Sequence, residues 1–243
     1  MEYRQLEVTR SSDGHRSELR LPGGDLGALA ARELAAAAGQ LHEERDVRAV
    51  LLTARTSPFC SGPNPDLDAL EVDPAAALAT LRPPLIAAVR GECVSVGLEL
   101  VLCADIRFCS PDATFAFPDL GQGRLPSWGG TQRLPRAIRP ATAAAMLLTG
   151  HSLDASTAKS LGLMFDVVDD PEQAAADLAV VLTGLGPLAL EFAKEAVHRG
   201  SELPLRDGLR LEGDLNHQLA ATQDRAEGLR AFFDKRPPDF SGR

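Results

Sequence analysis

Residues 85–89 read Leu-Ile-Ala-Ala-Val, a run in which every side chain is apolar, bounded by Pro84 and Gly91. A strand with one wet face alternates polar and apolar residues; a run without alternation is buried on both faces. It therefore needs a layer packed above it and another below, and this demand narrows the possible folds more than any other feature. Val47 to Thr53 reads as another buried strand. Before it lies a long Ala/Leu helix, Ala28 to Glu43, which tolerates Gly39 at a cost of roughly 1 kcal/mol. Tyr3 to Val8 and Arg16 to Leu21 alternate, as two short strands joined at Ser12-Asp13-Gly14. Strand–helix–strand alternation of this kind predicts an α/β fold with right-handed crossovers.

The chemistry concentrates just after the buried run. A Gly- and Ser-containing loop leads into an apolar segment, Gly97 to Ala104, that holds one acid, Glu99. A β-type run follows from Ile106 to Cys109, and after Pro111-Asp112 the sequence TFAFPD places a second acid, Asp119, directly behind a proline. The first amides of a helix lack internal partners and carry the positive end of its dipole. Two acids gathered over such amides can move a proton while the amides hold a developing oxyanion. Each acid also has a plainer reading. Glu99 can complement the helix dipole or sit in a buried ion pair, and Asp119 can serve as a turn or cap residue after Pro118.

Together with the residues downstream of Asp119, this segment resembles the enoyl-CoA hydratase/isomerase (crotonase) superfamily. The likeness runs through IAAVRG, GLELVLCAD, FAFPD and GGTQRLPR, then through LLTGHSLDASTAKSLGL to the tail DRAEGLRAFFDKRPPDF, with a looser match upstream in AVLLTARTSPFCSG. It implies a ClpP/crotonase-like α/β spiral of ββα units forming a single domain over 1–243. A core of about 1–185 would be followed by a helical trimerisation segment of about 186–243. The implied assembly is a homotrimer or a dimer of trimers, and the implied activity is hydration of a 2-enoyl-CoA thioester. Double-bond isomerisation by Glu99 alone, another acyl-CoA reaction, or acyl-CoA binding without catalysis are the alternatives.

Carried onto this chain, the resemblance places Glu99 on the first catalytic glutamate and Asp119 on the second, one methylene shorter. Val96 falls on one oxyanion-hole position, where its N–H survives. Pro63 falls on the other and has no N–H to give. Either the donor shifts to Asn64 or that half of the hole is missing. Ser61, Asn64, Pro118 and Ser127 are the implied substrate contacts, with a helix cap as the alternative for Ser127 and packing as the role expected of Trp128. The loop PGGDLGAL and the stretch Asp66 to Leu81 are both shorter than the resemblance leads one to expect. No metal and no redox cofactor is implied, since CoA belongs to the substrate.

Composition excludes several other classes. A formal net charge of -9 without a basic run argues against nucleic acid as a partner. The four cysteines match no zinc spacing and read as small buried side chains, and the five histidines are scattered. The polar N-terminus MEYRQLEVTR carries no apolar signal core, and nowhere do 18 apolar residues run together. The expected location is therefore the cytoplasm, away from membrane. CVSVG lacks the first glycine of a nucleophile elbow, and GQG lacks the third glycine of a dinucleotide loop.

Overall fold

The computed structural model describes residues 3–69 and 72–243. Its main sheet has six strands in the order β1-β2-β4-β6-β8-β11. These are β1 (Glu7–Arg10), β2 (Arg16–Leu21), β4 (Ala49–Ala54), β6 (Leu85–Val89), β8 (Ile106–Cys109) and β11 (Asp166–Val167). Only the β1–β2 hairpin is antiparallel; the remaining pairings are parallel.

The apolar run Leu85–Val89 lies in the middle of this sheet, and both its faces are covered. Leu85, Ala87 and Val89 point into the larger core, with Val50 and Leu52 of β4 and with Ala30, Leu34 and Ala37 of helix α1 (Ala28–Glu43). Ile86 and Ala88 point the other way, into a smaller core closed by Ala175 and Ala179 of α7 (Pro171–Thr183). Helix α7 starts sharply because Asp170 accepts from the Gln173 N–H and Pro171 sits in the first turn.

Two smaller sheets carry the site. One pairs β3 (Asp25–Leu26) with β5 (Gly62–Pro63); the other runs β10-β9-β7, from β7 (Glu92–Val94), β9 (Thr114–Ala116) and β10 (Leu153–Asp154). A parallel bridge between Cys60 and Cys93 ties them together. This brings the Cys60–Pro63 segment against α3 (Val96–Val101). Helices α2 (Pro74–Ala79), α4 (Gly130–Ala137), α5 (Pro140–Thr149) and α6 (Ala155–Ser160) fill in around the core. The chain then continues as α8 (Pro187–Ser201), α9 (Leu205–Ala220) and α10 (Gln223–Asp234). Among the described residues no single helix is long and apolar enough to cross a membrane.

The second strand, the first helix and the strands Leu85–Val89 and Ile106–Cys109 have the predicted bounds. The first strand starts at Glu7 instead of Tyr3, because the Glu33 carboxylate on α1 takes the N–H groups of Arg4, Gln5 and Leu6. Val47 belongs to a turn closed on the Glu44 carbonyl, which moves the expected strand start to Ala49. Met164 stays outside β11, because its N–H closes back on the Ala158 carbonyl.

Close approach of α3 to the Cys60 segment depends on Gly97. A Cβ added there would collide with Cys60 Cβ and lie 2.8 Å from its Sγ. Gly97→Ala should therefore cost about 1–3 kcal/mol in denaturant unfolding. Adding Cys60→Gly to the same chain should recover part of that loss. An alanine variant as stable as the parent would show that α3 does not pack this tightly.

Candidate active site

The turn between β7 and α3 sets the first half of the site. Ser95 occupies it with φ 51° and ψ -124°, a backbone region open at low cost only to glycine. Its N–H donates to the Ala116 carbonyl at 3.0 Å and its carbonyl accepts from the Glu99 N–H at 3.1 Å, so the turn is pinned from both sides. Val96 then opens α3. Its N–H has no helical acceptor, and among the described residues no other carbonyl or side chain takes it. That donor borders a cavity of about 450 Å³ lined by Pro63, Leu67, Val96, Glu99, Asp119 and the segment Arg124–Trp128.

Glu99 lies in the first turn of α3 and is 1% exposed. Its Oε1 accepts two backbone hydrogen bonds, from the N–H groups of Trp128 and Gly130, both at 2.7 Å. Those amides belong to the Gly129-Gly130 turn that starts α4, where Gly129 has φ +97° and Gly130 is pressed against the Phe117 ring. The turn's amides thus cradle the glutamate itself, a role the sequence reading does not assign to them. Oε2 is buried and, among the described residues, has no hydrogen-bond partner. Burial pushes the Glu99 carboxyl up to about 7, against the pull of the Gly130 and Trp128 amides and with help from the Asp119 charge.

Asp119 is arranged in the same way. It starts a short 3₁₀ turn behind Pro118 and is 4% exposed. Its Oδ1 accepts from the Ser95 hydroxyl at 2.5 Å, and the Arg124 guanidinium stands 3.7 Å from that oxygen. Its Oδ2 is buried and, among the described residues, without a hydrogen-bond partner. Each carboxylate therefore has one oxygen held and one left over, and both acids line the same cavity.

The other sequence-predicted residues divide. Pro63 and Ser127 line this cavity. Pro118 does not; it lines a separate cavity with Leu120 and Gly150. Ser61 and Asn64 are exposed and lie outside the cavity lining; the Ser61 N–H donates to the Gly24 carbonyl. The suggested shift of the oxyanion donor to Asn64 is corrected by the sheet: the Asn64 N–H donates to the Leu26 carbonyl at 2.9 Å. Pairing of β5 with β3 consumes it. Because successive amides of a strand point to opposite sides, position 63 is the one turned away from β3, and it carries proline. Of the shortened stretch Asp66–Leu81, residues 70–71 lie outside the described residues; Leu67 from that stretch lines the cavity.

Sequence reasoning considers Ser95 only as a nucleophile and passes over Arg124. The signals are a polar side chain four residues before Glu99 and a cation five residues after Asp119. Neither spacing announces a contact until the loops are folded together.

A carboxyl whose pKa rises on folding costs stability once the pH is high enough to ionise it. For Glu99 this cost grows from the ordinary carboxylate range near 4.5 and is complete above about 7. Its full size is on the order of 3 kcal/mol. Glu99→Gln should therefore melt above the parent at pH 8, with a gap that closes as the pH falls toward 4.5. A gap independent of pH, measured by calorimetry, would show that Glu99 does not hold a proton through burial.

Known proteins resemble this chain in sequence and in fold. The enoyl-CoA hydratase/isomerase family profile matches residues 26–243. The probable enoyl-CoA hydratase echA8 of Mycobacterium tuberculosis is 38% identical over 223 residues, 87% of each chain. The 2,3-dehydroadipyl-CoA hydratase of Escherichia coli is 42% identical over 170 residues, 69% of this chain and 67% of the relative. Among solved structures, the enoyl-CoA hydratase of Bacillus anthracis superposes with a TM-score of 0.89 at 30% identity, covering 99% of this chain and 100% of that one. A putative enoyl-CoA hydratase/isomerase of Mycobacterium abscessus gives 0.88 at 34% identity with the same coverage. Family profile, sequence relatives and fold all point the same way, and this chain belongs to the enoyl-CoA hydratase/isomerase family, with its crotonase-type α/β fold.

Proposed function

We propose that this protein adds water across the 2,3 double bond of an enoyl-CoA thioester, with CoA as part of the substrate and no further cofactor. The observation that carries the reading is the pair of buried carboxylate oxygens, Glu99 Oε2 and Asp119 Oδ2, left without hydrogen-bond partners among the described residues on two acids that line one cavity with Val96. A buried orphan oxygen costs free energy, and a water bound between the two acids satisfies both. During the reaction the water oxygen bonds to Cβ and one carboxylate takes its proton. The other acid delivers a proton to Cα as the electrons of the double bond pass through the enolate. One water is consumed and the pair ends with as many protons as it began. With Glu99 raised to about 7, a proton is available to the pair near neutral pH.

The Val96 N–H is placed to receive the thioester oxygen as its charge grows. A second donor is absent where Pro63 stands, and this favours slow turnover, since one oxyanion donor is typically worth about 10²–10³ in rate. The same deficit is the observation that favours the alternative, a protein that binds acyl-CoA without reacting it. The exposed Leu205 and Leu209 on α9 and Phe232 and Phe233 on α10 support assembly of several copies, as a homotrimer or a dimer of trimers.

Incubation with crotonyl-CoA and longer enoyl-CoAs should give a product heavier by one water. Glu99→Gln and Asp119→Asn should each slow its formation about 10²-fold or more. An unchanged-mass product with a shifted double bond would establish isomerisation instead, and tight thioester binding with no product from any chain length would establish the binder. Pro63→Ala restores an N–H facing away from β3 and should raise kcat/KM about 10-fold or more. A rate equal to or below the parent's would mean that this side of the turn does not meet the thioester oxygen.

A further inference from the structure

Ser95 presents a conflict that its surroundings explain. A non-glycine residue at φ 51° and ψ -124° is strained, and the turn's two backbone hydrogen bonds need no side chain at all. The side chain is nonetheless 1% exposed, and its hydroxyl reaches one partner, Asp119 Oδ1. Strain kept at a buried position points to something the side chain contributes. Here that contribution is a hydrogen bond to one of the two acids.

Asp119 depends on such help. Its carboxylate stands one C–C bond, roughly 1.5 Å, closer to its own backbone than a glutamate's would. Its side chain starts from a short 3₁₀ turn, and Arg124 approaches the same oxygen at 3.7 Å. With Oδ1 fixed by Ser95 from the floor of the site, the only freedom left to the carboxylate is rotation away from that bond. Oδ2, buried and without a hydrogen-bond partner among the described residues, is then the oxygen left over on a side chain that lines the cavity.

We propose that Ser95 is a positioning residue for Asp119: its hydroxyl clamps Oδ1 so that Oδ2 faces the reacting water, and the Ser95–Asp119 pair together spans the distance that a longer acid over a glycine would span alone. The inference rests on the hydration reading for its kinetic consequences but not for its geometric one. The left-handed backbone is part of the device, because it aims the Cβ–Oγ bond of residue 95 toward Asp119 and not into helix α3.

Ser95→Gly tests it, since glycine relieves the strain while deleting the hydroxyl. The variant should melt no lower than the parent. Its kcat on an enoyl-CoA should fall about 10–100-fold, with KM changed less than about threefold. Ser95→Ala should lose as much kcat but, keeping the strained backbone, melt below Ser95→Gly. Asp119→Glu alone should also be slow, because its added methylene meets the Ser95 hydroxyl. Ser95→Gly with Asp119→Glu should recover most of the lost rate. A crystal structure of Ser95→Gly should show the Asp119 carboxylate rotated or in two orientations. An Asp119 carboxylate unmoved in that structure, an unchanged kcat, or a double variant no faster than the slower single one overturns the proposal. A parent without turnover would sink hydration while leaving the crystallographic result to decide whether Ser95 holds Asp119.

Discussion

Glu99 Oε1 takes two amide hydrogen bonds from the start of α4, and the rest of the site follows from that contact. A carboxylate buried among Leu98, Leu100 and Val101 is tolerated only where something replaces its hydration. The two amides replace it on one oxygen alone. They also bind the α3 turn to the Gly129-Gly130 turn, and the segment Arg124–Trp128 between Asp119 and α4 becomes one wall of the cavity. The second oxygen is left buried and, among the described residues, without a hydrogen-bond partner, so the interaction that makes the glutamate tolerable satisfies only half of it.

The surrounding structure keeps this arrangement from relaxing. The apolar strand β6 fixes the start of β7 from a sheet covered on both faces. The Cys60–Cys93 bridge and the absence of a side chain at Gly97 bring β5 up against α3. Close packing transmits these constraints because well-packed interiors leave no slack. Glu99, Asp119 and Val96 therefore sit on segments whose ends are anchored in the sheets and helices around them, and short loops suffice to hold them.

The Val96 and Pro63 side of the cavity is asymmetric for reasons visible in single residues. Val96 keeps a free N–H because it opens a helix; Pro63 has none to offer, and its neighbour Asn64 spends its own on Leu26. On the acid side the asymmetry runs the other way. Asp119 is shorter than a glutamate, yet it has Ser95 and Arg124 on one oxygen. Substitutions that look like decay when counted one at a time are, in the second case, joined by a contact.

The sequence by itself determined the fold class, through apolar runs that no half-exposed strand could carry, and it named Glu99, Asp119, Val96 and Pro63 as a group. The first is a matter of residue type and local pattern, the second of what the family resemblance implies, and both survive without coordinates. Tertiary structure alone decided that the Trp128 and Gly130 amides serve Glu99, that Ser95 and Arg124 belong to Asp119, that Asn64 cannot stand in for Pro63, and that Ser61 and Pro118 stand outside the cavity. Each of those facts depends on which N–H or hydroxyl points at which oxygen. Direction of that kind is set by where two distant loops meet and by which amides a sheet has already used, and no spacing along the chain encodes it.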